Sequence, residues 1–295
     1  MEQPEGFKQE PEKVCRLQKA LYGLKQASRV RNTKLDAELK RIGLQRSKFD
    51  TCVYFANQGE KIIIVAVYVD DFLMFSNDEK LVAEVKEHLM SKFHMKDLEE
   101  TEHVLGIRVT RKEGRIILDQ ERYIEKLLGQ YSMVNCNTVS TPLDPNQRLT
   151  KEMCPRNADE ENRMKNVPFR ELVGGLQFLA SSCTRPDISY ATSVVSSFSS
   201  NPGEVHWTAA KRIIRYLKGT KHMRLTYDKA NEGSFRGFTD VDWGNDPDTR
   251  RSVTGYVYVH AGGAISWTSK RQPTVASSTA EAEYMALSAA AQEAL

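Results

Sequence analysis

Tyr68-Val69-Asp70-Asp71 stands between two apolar runs, Ile62 to Val67 on one side and Phe72 to Phe75 on the other. Short β-branched and aromatic runs around a polar pair read as a β-hairpin with carboxylates at its tip. No other stretch of the chain fixes so much local structure at once, since it sets two strands, their pairing and the place of the turn. Two acidic groups held side by side repel each other, and a divalent cation removes that cost and becomes a catalyst. Asp is also an ordinary turn residue, because its side chain bonds to nearby backbone. The tetrapeptide taken alone therefore leaves a plain turn and a metal site both open.

Composition sets the frame for that hairpin. A length of 295 residues suggests about two domains, and 40% hydrophobic residues are enough to build a core. The longest apolar run, Ile62 to Val69, is far too short to span a bilayer. Met1 to Glu12 is polar and mixed in charge, which is not the pattern of a signal peptide. Cys15, Cys52, Cys136, Cys154 and Cys183 are scattered, with no CxxC pair and no zinc spacing. Reduced thiols in a cytosolic or nuclear compartment are the simplest reading. The net charge of +3 is unevenly spread. Residues 229–295 carry six Lys/Arg and eight Asp/Glu, whereas residues 204–224 carry six basic residues and one acidic. A concentrated basic patch is what a phosphate backbone needs from a protein.

Periodicity divides the chain into three stretches. Residues 1–142 read as mixed α and β. A helix is expected from about Asn32 to Ile42, stopped by Gly43, and another from about Asp78 to Phe93 with Leu81, Val85 and Leu89 on one face. Two strands, 103–110 and 115–119, flank a turn at Lys112-Glu113-Gly114. Asn135 to Pro168 has little periodicity and reads as a long, poorly ordered linking segment. Residues 168–227 look helical in three pieces, broken near Pro186 and Pro202. In the third piece Ala210, Ile213, Ile214 and Leu217 would face a core. Lys211, Arg215 and Lys218 form another face, with Arg212, Lys221 and Arg224 beside them. A charge run is commonly a solvated helix face. Here every charge has one sign and no i, i+4 pair relieves the repulsion, which favours nucleic-acid contact. Strands are expected at Phe235–Trp243, Gly255–His260 and Ala264–Lys270. A helix then starts near Ser277-Ser278-Thr279 and reaches Leu295.

Several motifs keep a fixed order along the chain. Leu21-Tyr22-Gly23-Leu24-Lys25-Gln26-Ala27-Ser28 precedes the hairpin. Ser140-Thr141-Pro142, Thr184-Arg185-Pro186-Asp187, Arg215-Tyr216-Leu217-Lys218-Gly219-Thr220 and Ala280-Glu281-Ala282-Glu283-Tyr284 follow it. Together they resemble the Pol polyprotein of copia-type LTR retrotransposons over essentially the whole chain, from the middle of the reverse transcriptase into the ribonuclease H domain. The fold this implies is α+β. A partial reverse transcriptase palm (1–142) leads through a linker and helical thumb or connection (143–228) into a truncated ribonuclease H-like α/β domain (229–295).

The resemblance assigns roles residue by residue. Asp70 and Asp71 match the paired Asp of the reverse transcriptase motif, Asp70 being the stricter metal ligand, with Mg²⁺ or Mn²⁺ as the ion. Gln26 matches a position along the incoming nucleotide. Tyr68 would pack under the primer terminus, although either residue seen alone is an ordinary loop Gln or strand aromatic. Leu105-Gly106-Ile107 resembles a primer-gripping element, and a strand bulge explains its Gly equally well. Asp240 matches the first ribonuclease H carboxylate and Glu283 the second, with Glu281 as rival and Asp242 on the same strand face as Asp240. Lys211, Arg212, Arg215, Lys218 and Lys221 would meet nucleic acid. The implied partners are an RNA template, a DNA primer, an RNA–DNA hybrid and deoxynucleotides, with no membrane. The implied location is intracellular, in a cytoplasmic virus-like particle or the nucleus.

The family's third polymerase Asp lies before the element that here is Gln3 to Phe7, and a further nuclease Asp and a His lie beyond residue 295. Many relatives carry Pro and Trp where this chain has Ser28 and Arg31. The expectation is thus a reverse transcriptase–ribonuclease H fragment with both metal sites a ligand short and neither activity. The alternative is a non-catalytic remnant that binds nucleic acid through its basic face.

Overall fold

The computed structural model describes residues 1–295 except Met1, Gln9, Pro11, Tyr22, Ser182 and Cys183. Cys183, and Tyr22 of the first motif, therefore lie outside the described residues. Two compact units form, Met1–Thr101 and Glu102–Leu295. Residues 102–142, grouped by sequence with the first stretch, pack inside the second unit.

In the first unit, helix α1 (Ala27–Arg41) leads into a meander of four antiparallel strands. These are β1 (Gln45–Arg46), β2 (Val53–Gln58), β3 (Lys61–Tyr68) and β4 (Asp71–Ser76), and helix α2 (Glu79–Lys92) follows. Strand alternation sorts the apolar run. Ile63 and Val65 are buried with Tyr54 against Leu35 and Leu39 of α1 and Leu81, Val85 and Leu89 of α2. Ile62 and Ile64 point to the open face. The expected α2 is there, and the Asp78 carboxylate caps it by accepting the N–H groups of Lys80 and Leu81. Helix α1 starts at Ala27, five residues before the expected point. Residues 28–31 are all exposed, so no apolar stripe marks that first turn. Gly43, at φ +88°, stops the helix as expected.

The second unit opens with β5 (His103–Val104), β6 (Ile107–Lys112) and β7 (Arg115–Asp119). Leu105 and Gly106 both have positive φ (50° and 78°), so this Gly lies in a two-residue hairpin turn between β5 and β6 rather than inside a strand. Glu113 and Gly114 repeat the geometry at the expected second turn. The unit then turns helical, with α3 (Glu121–Gln130), α4 (Ala158–Met164), α5 (Phe169–Ser181), α6 (Ser189–Ser196) and α7 (Glu204–Gly219). Strand β8 (Leu225–Asp228), absent from the sequence reading, pairs with β7 and completes a sheet of order β5-β6-β7-β8. A third antiparallel sheet holds β9 (Phe235–Asp242), β10 (Val253–His260) and β11 (Gly263–Arg271) in the order β11-β10-β9, and α8 (Thr279–Ala294) packs on it.

One core runs through α3, α5, α6 and α7, built on Leu127, Leu172, Leu176, Ile213 and Leu217. At its edge Arg185 is 1% exposed. Its Nε and Nη2 donate to the two carboxylate oxygens of Asp187 at 2.9 and 2.7 Å. Nη2 also donates to the Thr220 hydroxyl at 2.6 Å, and Nη1 to the Thr220 carbonyl at 3.3 Å. The Tyr216 hydroxyl donates to Asp187 at 2.8 Å. The Thr184–Asp187 and Arg215–Thr220 motifs are thereby two halves of one buried polar junction.

The segment from Asn135 to Pro168 is not the loose linker its composition suggests. It contains α4, and Leu143, Leu149 and Cys154 pack at the helical core. Those isolated apolar contacts and side-chain bonding to backbone hold it, and neither has a sequence period.

Candidate functional site

The hairpin forms as the apolar runs require, with Tyr68 paired to Asp71 and Val69-Asp70 as its two-residue turn. Val69 has φ +50°, a left-handed conformation that a β-branched residue rarely adopts. Strain of this kind gathers at functional sites. Asp71 and Tyr68 lie on the open face of the sheet, since their neighbours Phe72 and Val67 pack toward the helices. Asp70 projects from the turn, and Nη1 of Arg31 on α1 sits 2.6 Å from its Oδ1. Gln26 is the exposed N-cap of the same helix and makes no side-chain cap bond. It lies five residues before Arg31, about 7.5 Å along the axis. The structure thus brings Arg31 to Asp70, a contact the sequence reading missed. The signal for it was the departure at position 31.

In the second unit, Tyr258 pairs with Gly237, and a Cβ on Gly237 would meet the Tyr258 ring. The Tyr258 hydroxyl donates to the Ala290 carbonyl of α8. Gly237 therefore faces α8, and alternation turns Asp240 and Asp242 to the opposite face of the sheet. Trp267 shares that face and donates its indole N–H to the Ala180 carbonyl of α5. A cleft of about 630 Å³ opens there, lined by Asp240, Asp242, Tyr190 and Trp267. Asn245 donates to Asp242 and to the Tyr190 hydroxyl; Asn245 and Tyr190 are residues that sequence alone did not single out.

Glu283 is exposed on α8, beside the Ala282, Ala286 and Ala290 stripe that faces the sheet. Its rival Glu281 is engaged elsewhere. It accepts both the N–H and the hydroxyl of Ser277, which holds its carboxyl below the usual range. It thus serves the helix start. Asp240 and Glu283 are not brought to one face. Among the described residues no three His, Cys, Asp or Glu side chains converge on a point that could hold a metal ion. The hairpin therefore offers a divalent ion two carboxylates, Asp70 and Asp71, with Arg31 already on the first, and β9 offers Asp240 and Asp242, short of a closed cage in either place.

The basic face of α7 is not bare. Arg215 Nε donates to the Asn137 carbonyl at 2.8 Å and Lys218 Nζ to the Cys136 carbonyl at 2.6 Å. Arg212 donates to the Thr141 hydroxyl and lies 3.7 Å from Asp144. Lys221 pairs with Glu125 at 2.6 Å and Glu121 at 3.4 Å. Lys211 lies over the Trp207 ring. The partners are not i, i+4 neighbours on the helix, and the inference from like charges to a nucleic-acid face loses its ground because the relief comes from elsewhere in the chain. Carbonyl and carboxylate oxygens from residues 121–144 supply it, and these charges clasp the linking segment.

Comparison with known proteins matches residues 1–145 to the family described as Reverse transcriptase (RNA-dependent DNA polymerase). The Retrovirus-related Pol polyprotein from transposon TNT 1-94 of Nicotiana tabacum is 44% identical over 99% of this chain and 22% of that protein. That from transposon RE1 of Arabidopsis thaliana is 39% identical over 99% of this chain and 20% of its own length. A Saccharomyces cerevisiae protein named "Putative transposon Ty5-1 protein YCL074W" is 32% identical over 99% of this chain and 94% of its own length. The chain spans about a fifth of the length of the two plant relatives. No solved structure matches. Among the described residues no helix is long and apolar enough to cross a membrane. With the Asp-Asp hairpin inside the matched segment and the likeness continuing to the last strands and helix, the chain belongs to the reverse transcriptase-containing Pol polyproteins of copia-type retrotransposons.

Proposed function

We propose that residues 1–142 are palm sequence of an RNA-directed DNA polymerase, residues 143–228 its linker and helical connection, and residues 229–295 ribonuclease H sequence. The observation that carries the polymerase reading is the hairpin tip. A strained Val69 holds Asp70 and Asp71 at the edge of a sheet backed by two helices, inside the segment the family model covers. Its substrates would be an RNA template, a DNA primer and deoxynucleotides, with Gln26 and Tyr68 beside the nucleotide and primer end. The nuclease reading rests on the strand order β11-β10-β9 followed by a helix, with Asp240 and Asp242 open to a cleft. Its substrate would be the RNA–DNA hybrid. An intracellular location, in a virus-like particle or the nucleus, goes with both readings.

Mg²⁺ or Mn²⁺ is the ion such two-metal chemistry draws on, and among the described residues no three side chains of ligand type gather to cage it. The chain alone is therefore read as inactive. Primer extension and hybrid cleavage in Mg²⁺ and in Mn²⁺ test this, and sustained turnover abolished by Asp70→Asn or Asp240→Asn would overturn it.

A non-catalytic nucleic-acid binder is the second reading, favoured by the net basic charge of residues 204–224. Hybrid affinity would then fall with salt, by a log–log slope of about −0.9 per phosphate neutralised on duplex DNA. Because Arg215 and Lys218 are spent on carbonyls, Lys211→Ala tests α7 as the contact surface more cleanly than replacing all three. An unchanged slope removes α7 from that role.

A further inference from the structure

Arg31 reaches from α1 to the hairpin tip and places its guanidinium on Asp70 at 2.6 Å. A guanidinium is always charged and offers donors but no acceptor. It supplies, from within the chain, the positive charge that two adjacent carboxylates need. The tip is poorly placed to turn away, since Tyr68 pairs with Asp71 across the turn and Val69 is already held in the left-handed region. Both partners are substantially exposed, with side-chain accessibilities of 44% for Arg31 and 74% for Asp70. An exposed pair of this kind does little for stability, so its weight lies in what it excludes from Asp70.

We propose that Arg31 is a tethered counter-cation that competes with divalent metal for Asp70, so that the hairpin tip is occupied by a side chain where a metal would sit. This deepens the polymerase reading and rests on Asp70 being its metal-ligand position. The competition has two parts. The guanidinium must leave Asp70 before an ion can bind, and it then repels that ion from close range. The first part alone corresponds to up to about fivefold in affinity, the upper end for an exposed pair.

The test uses the full chain with Mn²⁺ as the probe. Free Mn²⁺ is followed by electron paramagnetic resonance, and binding at the hairpin by paramagnetic broadening of the amide signals of Val69 to Phe72. Arg31→Gln should bind Mn²⁺ at the hairpin about fivefold or more tightly than the wild type, and Arg31→Lys should stay close to it. Adding Asp70→Asn to Arg31→Gln should abolish the gain. The same amide spectra report whether each variant is folded, and Arg31 is a surface residue. Equal titration of wild type and Arg31→Gln, no broadening in either, or a gain that survives Asp70→Asn would each overturn the proposal. Broadening at Val69 to Phe72 in either protein tests the metal-ligand reading of Asp70, and the difference between wild type and Arg31→Gln tests Arg31, so a failure of Arg31 alone is told apart from a failure of the reading beneath it.

Discussion

Replacing Arg185 by Met keeps most of its volume and removes every contact its guanidinium makes at the junction of the Thr184–Asp187 and Arg215–Thr220 motifs. Four donor contacts are lost, two to Asp187 and two to Thr220. Breaking a fully buried ion pair costs about 3–5 kcal/mol, because the surviving charge is stranded. Asp187 is not fully stranded. Its side chain is 29% exposed and still accepts from the Tyr216 hydroxyl. The cost should therefore sit at the lower end, about 3 kcal/mol. Arg185→Lys keeps the charge, but a single ammonium cannot span both Asp187 and Thr220, and about 2 kcal/mol is expected. Trp207, Trp243 and Trp267 all lie in the second unit, so tryptophan fluorescence follows that unit alone. With a urea slope of about 2–3 kcal/mol/M, the midpoint for Arg185→Met should fall by about 1–1.5 M at unchanged slope. A fall below about 0.3 M would show that the junction is a solvated contact and refute the reasoning.

Three further outcomes follow from the same geometry. Gly203→Ala should destabilise the second unit by about 2 kcal/mol or more in thermal melts, because its Cβ would lie 2.2 Å from the Met153 carbonyl oxygen. A melt within about a degree of wild type would mean that the Met153 turn yields freely. Val69→Gly should leave the first unit as stable or raise it by up to about 1 kcal/mol, since Gly accepts a positive φ without strain. A clear loss in chemical denaturation would show that the Val side chain contributes packing at the tip. Tyr54 is pushed up to about 12, first by burial and then by its hydrogen bond to Asp36. The folded unit therefore holds that proton while the unfolded chain releases it. Stability from this source is complete below about pH 10 and is lost as pH rises toward 12. Burial raises Tyr131, Tyr190, Tyr216, Tyr227 and Tyr256 as well, so the ultraviolet titration is read as a difference: Asp36→Asn should move the Tyr54 step to lower pH and leave the other late steps in place.

What the sequence made legible was whatever repeats. The apolar runs around Asp70-Asp71 fixed a hairpin, and the stripes Leu81–Val85–Leu89 and Ala210–Ile213–Ile214–Leu217 fixed two helices, because burial imposes a period. What escaped has no period. The turn at Leu105-Gly106 depends on backbone sign rather than on side-chain pattern. Strand β8 is only four residues long, and its partner lies more than a hundred residues away. Residues 136–144 are held by cations of α7 meeting the carbonyls of residues 136 and 137, the Thr141 hydroxyl and Asp144, and the stretch beyond by isolated apolar side chains, Leu143, Leu149 and Cys154, at the helical core; neither has a period, and every residue type carries a carbonyl. The same blindness applied at the candidate site. Asp70 was visible as half of a motif, whereas its occupant was visible only as a substitution at position 31.

Arg115 lies opposite Asp228 across the β7–β8 pair, and their side chains join at 2.7 Å. All the helices from Glu121 to Gly219 are enclosed between those two strands, like a parcel inside its string. During synthesis the knot cannot be tied until the ribosome has delivered Asp228, and by then the whole bundle has emerged. The bundle must collapse first and bring the two distant segments within reach. Closing a pairing across more than a hundred residues costs more loop entropy than the β5–β6 and β6–β7 hairpins of the same sheet, so that sheet depends on the bundle for its last strand.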